Sequence, residues 1–410
     1  MNHGPLLRDG LAIALSGGGI RATLFHLGVL RRLAASGQLE SISHLSTVSG
    51  GSLAIGLVFA TNGYRWPSSD EYLSSVLPKI RHIVTSRDLQ ARALVSVWLK
   101  PWRLLTGRGP ALAEALQSCW GITKGLQDLP ERPCWYINAT TFHSGKNWRF
   151  SRARMGDWRF GYLDSPDVPL ATALAASAGV PYVIGRTTVR LPRKGWYEQE
   201  PRQTERRALP RPRASRVSLW DGGVYENLGV EALYKIGTGF VESSARFLLV
   251  CDAAQRLVEE PLKVHGPIYF QGILPRISIN VRTIDIMTDQ NRALRSRFLV
   301  TEMAAGRLSG CYIRIGNSGS FIARASSSQL GKEVRYANTL SDTAVRALSE
   351  YPTVLSKVAP PLFDDMVAHG YETTDATVSC YRPGCLAEVV QVDKLRGGAL
   401  PNRCTRDERT

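Results

Sequence analysis

Long apolar runs are missing from this chain of 410 residues. No stretch of about 20 apolar residues occurs, which argues against an integral membrane protein. A secretory signal is missing too, because the apolar run Leu11–Leu15 is too short for one and leads directly into glycines. We therefore expect a cytoplasmic protein, and the sequence leaves peripheral binding to a membrane open.

Paired cysteines are also scarce. The seven cysteines are scattered, and no Cys-x-x-Cys motif occurs. Cys380 and Cys385 are spaced like half of a zinc site, but no second pair of Cys or His residues has ligand spacing. The cysteines are therefore interpreted as reduced structural thiols, and we expect neither a metal nor a cofactor.

Acidic residues are outnumbered, with 35 Asp and Glu against 51 Lys and Arg and a formal net charge of +16. Such a field favours anionic partners, whether nucleic acid, a phospholipid surface or an acidic metabolite, and does not choose among them. Hydrophobic residues at 44% and charged residues at 21% exclude a globally disordered chain. A single α/β domain with insertions, over residues 1–410, is the organisation we expect.

The first sixty residues alternate between strand-like and helix-like segments. Leu11–Leu15 and Ile42–Val48 are short apolar runs typical of buried parallel strands, and each leads into a glycine turn. Helical apolar spacing follows each turn, over residues 20–35 and 52–60. This order predicts a parallel sheet flanked by helices, whose ligands bind beyond the carboxyl ends of the strands.

Residues 65–124 have the pattern of a helical insertion. Four apolar side chains lie near one helical face, Leu94, Trp98, Trp102 and Leu105, although Pro101 should break or restart the helix. We expect this face to pack on the sheet. The alternative is an interfacial membrane contact, because Lys100 and Arg103 flank the tryptophans.

Residues 192–216 differ sharply in composition from the rest of the chain. Eight Lys or Arg residues stand against three Glu, together with four prolines. These features predict a mobile basic surface loop, which is either simply solvated or in contact with an anionic surface. The stretch from about residue 240 to residue 410 is interpreted as a C-terminal extension.

Two glycine turns carry the residues that chemistry would need. Thr-Val-Ser-Gly-Gly at residues 47–51 fits a nucleophile elbow, in which Ser49 is presented between a strand and a helix. Gly17, Gly18 and Gly19 would present backbone N–H groups at a helix N-terminus, where they suit an oxyanion or a phosphate.

The first glycine turn allows a second interpretation. Gly17, Gly19 and Ala22 satisfy the Gly-x-Gly-x-x-Ala fingerprint of a dinucleotide site. That site requires an acidic residue at the end of the second strand, where this sequence has Ser49. Acyl transfer therefore fits the two turns better than nucleotide binding.

A serine nucleophile needs a base. Only His265 and His369 follow Ser49 in the chain order of α/β-hydrolase triads, and neither lies in a distinctive turn. Asp221 stands in a glycine turn instead, Trp-Asp-Gly-Gly at residues 220–223. With an ordinary pKa of about 3.9, its carboxyl would be ionised at neutral pH and able to accept the serine proton directly.

Four segments in one order resemble the patatin-like phospholipase family and together span roughly residues 10–235. They are Ser-Gly-Gly-Gly-Ile-Arg-Ala (16–22), Ser-Thr-Val-Ser-Gly-Gly-Ser (46–52), Ala-Ala-Ser-Ala-Gly-Val-Pro (175–181) and Asp-Gly-Gly-Val-Tyr-Glu-Asn (221–227). Two residues depart from the family pattern: Ala22 replaces a glycine that often follows Arg21, and Thr47 replaces the first elbow glycine.

The resemblance implies a three-layer α/β/α fold around a central, mostly parallel sheet. Ser49 is the implied nucleophile and Asp221 the base, with the amides of residues 17–19 as the oxyanion hole. Arg21 lies nearby, where it either places the glycine loop, contacts a substrate phosphate or forms a surface ion pair. Asn227 is expected to shape the Asp221 loop.

The implied activity is hydrolysis of carboxylic esters in glycerophospholipids through an acyl-serine intermediate. The expected partner is phospholipid substrate at an anionic membrane surface. Nucleic acid is not expected, and a homo-oligomer is left open. Two alternatives from other classes remain: a non-catalytic basic protein that binds membranes or nucleic acid, and a dinucleotide-binding oxidoreductase.

Overall fold

The computed structural model describes residues 10–103, 108–180, 184–199, 205–241, 244–255, 257, 273–331, 336 and 340–386. The strands are β1 (Leu11–Leu15), β2 (Ile42–Val48), β3 (Cys134–Thr141), β4 (Asn147–Phe150), β5 (Arg154–Asp157), β6 (Gly161–Asp164), β7 (Thr187–Arg190), β8 (Trp196–Glu198), β9 (Arg207–Ala208), β10 (Arg216–Asp221), β11 (Tyr234–Lys235), β12 (Gly239–Phe240), β13 (Phe247–Asp252) and β14 (Gly310–Arg314).

The helices alternate with these strands. They are α1 (Gly19–Ala34), α2 (Gly50–Thr61), α3 (Ser69–Glu71), α4 (Leu77–Ser86), α5 (Leu89–Leu99), α6 (Gly109–Trp120), α7 (Leu170–Ser177), α8 (Ile273–Ala304), α9 (Gly319–Leu330), α10 (Asp342–Ser349) and α11 (Pro360–Tyr381). Within the described part of the chain, no helix is both long enough and apolar enough to span a bilayer.

Five parallel strands form the centre of the sheet, in the order β14-β13-β1-β2-β3. From β3 outward the sheet continues with the antiparallel strands β4, β5, β6, β8 and β9. β10 pairs with β3 and β7, also antiparallel. The carboxyl ends of β1, β2 and β13 therefore meet at one edge of the sheet, called the carboxyl edge below.

Helices cover both faces of the central strands. Leu11 and Ile13 of β1 join one core with residues of α1 and α2, whereas Ala12 and Ala14 join a second core with Leu299 of α8. Because successive strand residues point to opposite faces, this division places one helical layer on each side. The predicted fold class, a mostly parallel sheet flanked by helices, is confirmed.

The helical insertion over residues 65–124 is present, but α5 does not pack as expected. Trp98 and Trp102, expected to pack on the sheet, are exposed, and Leu105 lies outside the described residues. The opposite face of α5 is the packed one, because Ser96 hydrogen-bonds Glu114 of α6. The sequence shows which residues share a face, but not which neighbour that face meets.

The expectation of a mobile loop over residues 192–216 is wrong for part of that stretch. β8 and β9 lie within it and extend the antiparallel side of the sheet. Trp196 is buried, and Glu198 forms ion pairs with Arg207 and Arg213. These strands are too short to show an alternating apolar pattern, so partners distant in sequence stabilise them.

Candidate active site

Ser49 lies in the sharp turn between β2 and α2. Its backbone has φ 49° and ψ −117°, a strained conformation for a residue with a side chain. The next two residues are glycines of necessity: a Cβ on Gly50 would lie 2.3 Å from the carbonyl oxygen of Gly19, and one on Gly51 would lie 2.5 Å from that of Leu15. This is the geometry of a nucleophile elbow.

The glycine loop between β1 and α1 lies beside this serine. A Cβ built on Gly17 would stand 3.0 Å from the Cβ of Ser49. The Gly17 amide donates to the carbonyl oxygen of Asn227, at 3.1 Å. The amides of Gly18 and Gly19 have no acceptor among the described residues. Of the three amides predicted to form the oxyanion hole, those of Gly18 and Gly19 remain candidates. The Gly17 amide does not, because it already donates to Asn227.

Asp221 ends β10 at the same edge. β10 pairs Asp221 with Ala139, the residue that follows Asn138, and Asn138 is the partner of Val48 at the end of β2. Asp221 Oδ1 accepts the Gly223 amide at 2.7 Å. Oδ2 has no hydrogen bond within the described part of the chain. The Ser49 hydroxyl is nevertheless near enough to lower the pKa of this carboxyl.

Burial dominates the electrostatics of Asp221 and raises the pKa of its carboxyl to about 7, against the smaller lowering by the Gly223 amide and the Ser49 hydroxyl. The expectation of a fully ionised carboxylate at neutral pH is therefore wrong. The sequence places an acid in a glycine turn, but only the fold removes it from water. A pKa near 7 suits a general base that works at neutral pH.

A chain of hydroxyl groups supports the elbow from behind. The Ser49 amide donates to Ser177 Oγ at 3.0 Å, and Ser177 Oγ lies 2.8 Å from Ser52 Oγ. Ser52 Oγ lies 2.8 Å from Thr47 Oγ1, which accepts Trp135 Nε1–H at 2.9 Å. Thr47, which departs from the family pattern, thus contributes a hydroxyl that a glycine would lack.

The last residue of α7 and the turn after it contact both Ser49 and Asp221. Ser177 accepts the Ser49 amide, and two residues later the Gly179 carbonyl accepts the Asp221 amide at 3.0 Å. No role for Ser177 was predicted from the sequence. The Ala-Ala-Ser-Ala-Gly motif was the signal that could have found it.

The loop after Asp221 is fixed by a buried acid, Glu226, for which the sequence predicted no role. The Glu226 carboxylate accepts four backbone amides, those of residues 228–231. Asn227 Oδ1 lies between the glycine loop and the Gly222–Gly223 turn. A Cβ on Gly17 would be 2.4 Å from it, and a Cβ on Gly223 would be 2.7 Å from it. This position agrees with the expectation that Asn227 shapes the Asp221 loop.

Arg21 lies beneath the glycine loop, where it is only 1% exposed. Its guanidinium donates to the carbonyl oxygens of Ala253 and Tyr351 and to the side chains of Gln255 and Thr353. Burial lowers its pKa to about 10. A surface ion pair is therefore wrong, since the guanidinium is buried and donates to backbone and side-chain oxygens. Of the three roles considered, Arg21 has the contacts of a residue that places the loop.

The one described histidine with the chain order of a hydrolase triad, His369, is not available as a base. His369 is buried, its Nε2 accepts the Gly316 amide, and burial lowers its pKa to about 3. His26 is bound to the Ser16 carbonyl, and His265 lies outside the described residues. Among the described residues no group of three His, Cys, Asp or Glu could hold a metal ion.

The family model of the patatin-like phospholipases matches residues 13–234, which is more than half of the sequence. This chain belongs to the patatin-like phospholipase family. No curated protein shows significant similarity to it. The match covers the glycine loop, Ser49 and Asp221, so this patatin-like chain carries its candidate site within the family domain.

Solved structures similar to this patatin-like chain include human GIVD cytosolic phospholipase A2, with 11% identity and a TM-score of 0.49 over 92% of this chain. The chain spans 60% of that protein's length. The same enzyme in complex with methyl gamma-linolenyl fluorophosphonate and terbium chloride gives a TM-score of 0.47, with 11% identity over 92% of this chain and 60% of that one. VipD from Legionella pneumophila is similar over 91% of this chain and 67% of its own length, with 13% identity and a TM-score of 0.34.

Proposed function

We propose that this protein is a serine lipid acyl hydrolase of the phospholipase A type, which cleaves carboxylic ester bonds of glycerophospholipids. The observation that carries the proposal is the strained elbow at Ser49, with the buried Asp221 carboxyl beside it and, in the adjoining glycine loop, two amides without an acceptor among the described residues. Backbone strain of this kind persists only where the surrounding structure enforces it, and it is typical of active sites.

The first half of the reaction makes an acyl-serine. Asp221 accepts the Ser49 hydroxyl proton as the serine Oγ attacks the ester carbonyl carbon. The amides of Gly18 and Gly19 stabilise the negative oxygen of the tetrahedral intermediate. The C–O bond to the lysophospholipid alcohol then breaks, and the departing oxygen takes the proton from Asp221.

The second half releases the fatty acid. Asp221 accepts a proton from water, whose oxygen attacks the acyl carbon, and the acid leaves as Ser49 regains its proton. One carboxylate therefore acts as base in both halves, provided that it is ionised at the start of each. Since its pKa is about 7, the reaction should accelerate as pH rises through that value.

The proposal is tested by incubating the purified protein with mixed phospholipids and identifying the products by mass spectrometry. Fatty acid and lysophospholipid are the expected products. A fluorophosphonate probe should label Ser49 and leave Ser86, an exposed serine of α4, unlabelled. Vesicle binding without ester turnover would favour the non-catalytic basic protein, and tight dinucleotide binding would favour the oxidoreductase.

A further inference from the structure

α5 and the turn that follows it expose a group of large apolar side chains to solvent. Trp98 is 81% exposed and Trp102 59%, and the neighbouring Leu94, Val95 and Leu99 are exposed as well. These five residues are called the tryptophan face. Most exposed apolar side chains in proteins are scattered singly, whereas a cluster of this kind marks an interaction surface.

The orientation of α5 is fixed by its other side. Glu114 of α6 accepts hydrogen bonds from Ser96 Oγ at 2.7 Å, from Lys100 Nζ at 3.0 Å and from Arg103 Nη1 at 2.9 Å. The hydrogen bonds from Arg103 are the largest cause that lowers the pKa of Glu114, to about 2, so the carboxylate stays ionised. Rotating the tryptophan face inward would break this cluster.

The first turn of α5 is tied to the glycine loop through residues 351–355. The Gln90 amide donates to the Leu355 carbonyl at 3.1 Å, and the Leu355 amide donates to Gln90 Oε1 at 3.0 Å. The neighbouring Val354 carbonyl accepts the amide of Ile20 at 2.8 Å, directly after Gly19. The start of α5 therefore lies at the glycine-loop side of the carboxyl edge.

The chain that follows α5 returns to the Asp221 side of that edge. At the start of α6, the Arg108 amide donates to the Ile184 carbonyl at 3.2 Å. The Ile184 amide in turn donates to the Val180 carbonyl, next to Gly179, which accepts the amide of Asp221. The tryptophan face is thus carried by a segment anchored on both sides of the candidate active site.

The chemistry of the face fits a lipid surface. Residues 89–120 contain four Lys or Arg side chains and one carboxylate, Glu114, which pairs with Lys100 and Arg103. The segment keeps a net positive charge, which favours anionic headgroups. Tryptophan is enriched at membrane interfaces, where its ring meets acyl chains and its N–H meets headgroups. A helix with exposed tryptophan and leucine and flanking cations is typical of interfacial binding.

Building on the proposed function, we infer that the tryptophan face inserts into the interfacial layer of an anionic phospholipid membrane. It would thereby hold the carboxyl edge, which carries Ser49, at the lipid surface. The segment would then act before chemistry, in substrate access. Its loss should lower activity on vesicles and spare activity on a water-soluble ester.

The test compares Trp98→Ala/Trp102→Ala with the conservative Trp98→Phe/Trp102→Phe. Phe321→Ala is the matched control, because Phe321 is an exposed aromatic residue of another helix, α9. Co-sedimentation of the full chain with phosphatidylcholine–phosphatidylserine vesicles measures binding, and a short-chain ester below its micellar concentration measures chemistry. Circular dichroism verifies folding.

The alanine pair should bind vesicles at least about tenfold more weakly, since two aromatic side chains that the membrane would bury are lost. The phenylalanine pair should lose less, and Phe321→Ala should match wild type. Soluble-ester turnover should stay within about twofold of wild type, as no proposed catalytic group is changed. Unchanged vesicle binding by the alanine pair would overturn the inference, as would an equal loss on the soluble ester.

Sedimentation velocity tests whether a second copy of the chain, and not lipid, covers the tryptophan face. A wild-type dimer that the alanine pair converts to a monomer, with vesicle binding intact, would mean that a second copy covers the face and would overturn the lipid assignment. The proposed function fails differently: no phospholipid would be hydrolysed, whereas vesicle binding would still depend on the tryptophans.

Discussion

In most proteins polar side chains are exposed and large apolar side chains are buried. The carboxyl edge and the tryptophan face depart from this pattern in opposite ways. At the edge, Ser49 and Asp221 are polar groups only 5% exposed, held by backbone and hydroxyl partners. On α5, Trp98 is apolar and 81% exposed. A buried polar group needs partners, and an exposed apolar cluster lowers solubility. Departures of this kind from the common pattern indicate where a protein acts.

The two regions also differ in how they are fixed. Segments distant in sequence converge on Ser49: the glycine loop, the Ser177 segment and the Asp221 strand. The tryptophan face depends on α5, the turn after it and the cluster around Glu114. Changes at the edge should therefore alter chemistry whatever the substrate, whereas changes at the surface should alter only reactions that need an interface.

The largest effect is expected at Ser49. Ser49→Ala removes the only proposed nucleophile and should reduce turnover of soluble ester and vesicles alike to background, with vesicle binding unchanged. Kinetics on both substrates, together with co-sedimentation, check this. Activity near wild type would remove Ser49 from the mechanism. Ser49→Gly should be equally inactive but melt at a higher temperature, because glycine relieves the strain at φ 49°.

Asp221→Asn should reduce kcat/KM by at least about 10²-fold, the low end for a general base. In the wild type, kcat/KM should rise with pH through about 7, because burial raises the pKa of Asp221 and the base form accumulates only above it. The asparagine variant should lose that rise. A pH profile of the variant that keeps the rise would assign the base to another group.

The same pKa shift has a consequence for stability. A carboxyl whose pKa is raised in the folded state stabilises the fold fully below its unfolded pKa, and this contribution is lost as pH rises through about 7. The melting temperature of Asp221→Asn should therefore fall less between pH 5 and 8 than that of the wild type. Scanning calorimetry across this range provides the comparison.

An intermediate effect is expected behind the elbow. Ser177→Ala removes the acceptor of the Ser49 amide and should lower kcat by about tenfold with KM little changed, since substrate binding is untouched. Ser86→Ala is the control, because Ser86 is an exposed serine of α4. A Ser177→Ala enzyme with normal kcat, or with a loss confined to vesicles, would show that the hydroxyl chain does not position Ser49.

The smallest effect should come from residues 192–216. Arg193, Lys194 and Arg211 are exposed and form no ion pair among the described residues, whereas Arg206, Arg207 and Arg213 pair with carboxylates. Replacing the first three by glutamine should weaken binding to anionic vesicles severalfold at low salt, because a basic residue contributes about 1 kcal/mol only at the membrane surface and less with distance over a Debye length.

Soluble-ester turnover should be unchanged in that triple variant. Titrating vesicle binding against salt tests whether the wild type is more salt-sensitive than the variant. Unchanged binding would leave the stretch as a solvated surface, and equal losses on the soluble ester would mean that it supports the site.

The sequence alone determined the two β-α units with their glycine turns. The predicted ends of β1 and β2 agree with the structure, and those of α1 and α2 agree within two residues. Such elements are predictable because apolar spacing and glycine act over a few neighbouring residues. The elbow at Ser49 belongs to this class, since its position follows from one strand, two glycines and one helix.

Tertiary structure alone decided the remaining features. The pKa of Asp221, the burial of Arg21 and the engagement of the Gly17 amide by Asn227 depend on partners far away in the chain. Likewise, helical spacing groups Trp98 with Trp102, but only the placement of Glu114 on α6 turns that face to solvent. Local pattern fixes which side chains share a surface, whereas the neighbours that bury or expose that surface are set by long-range packing.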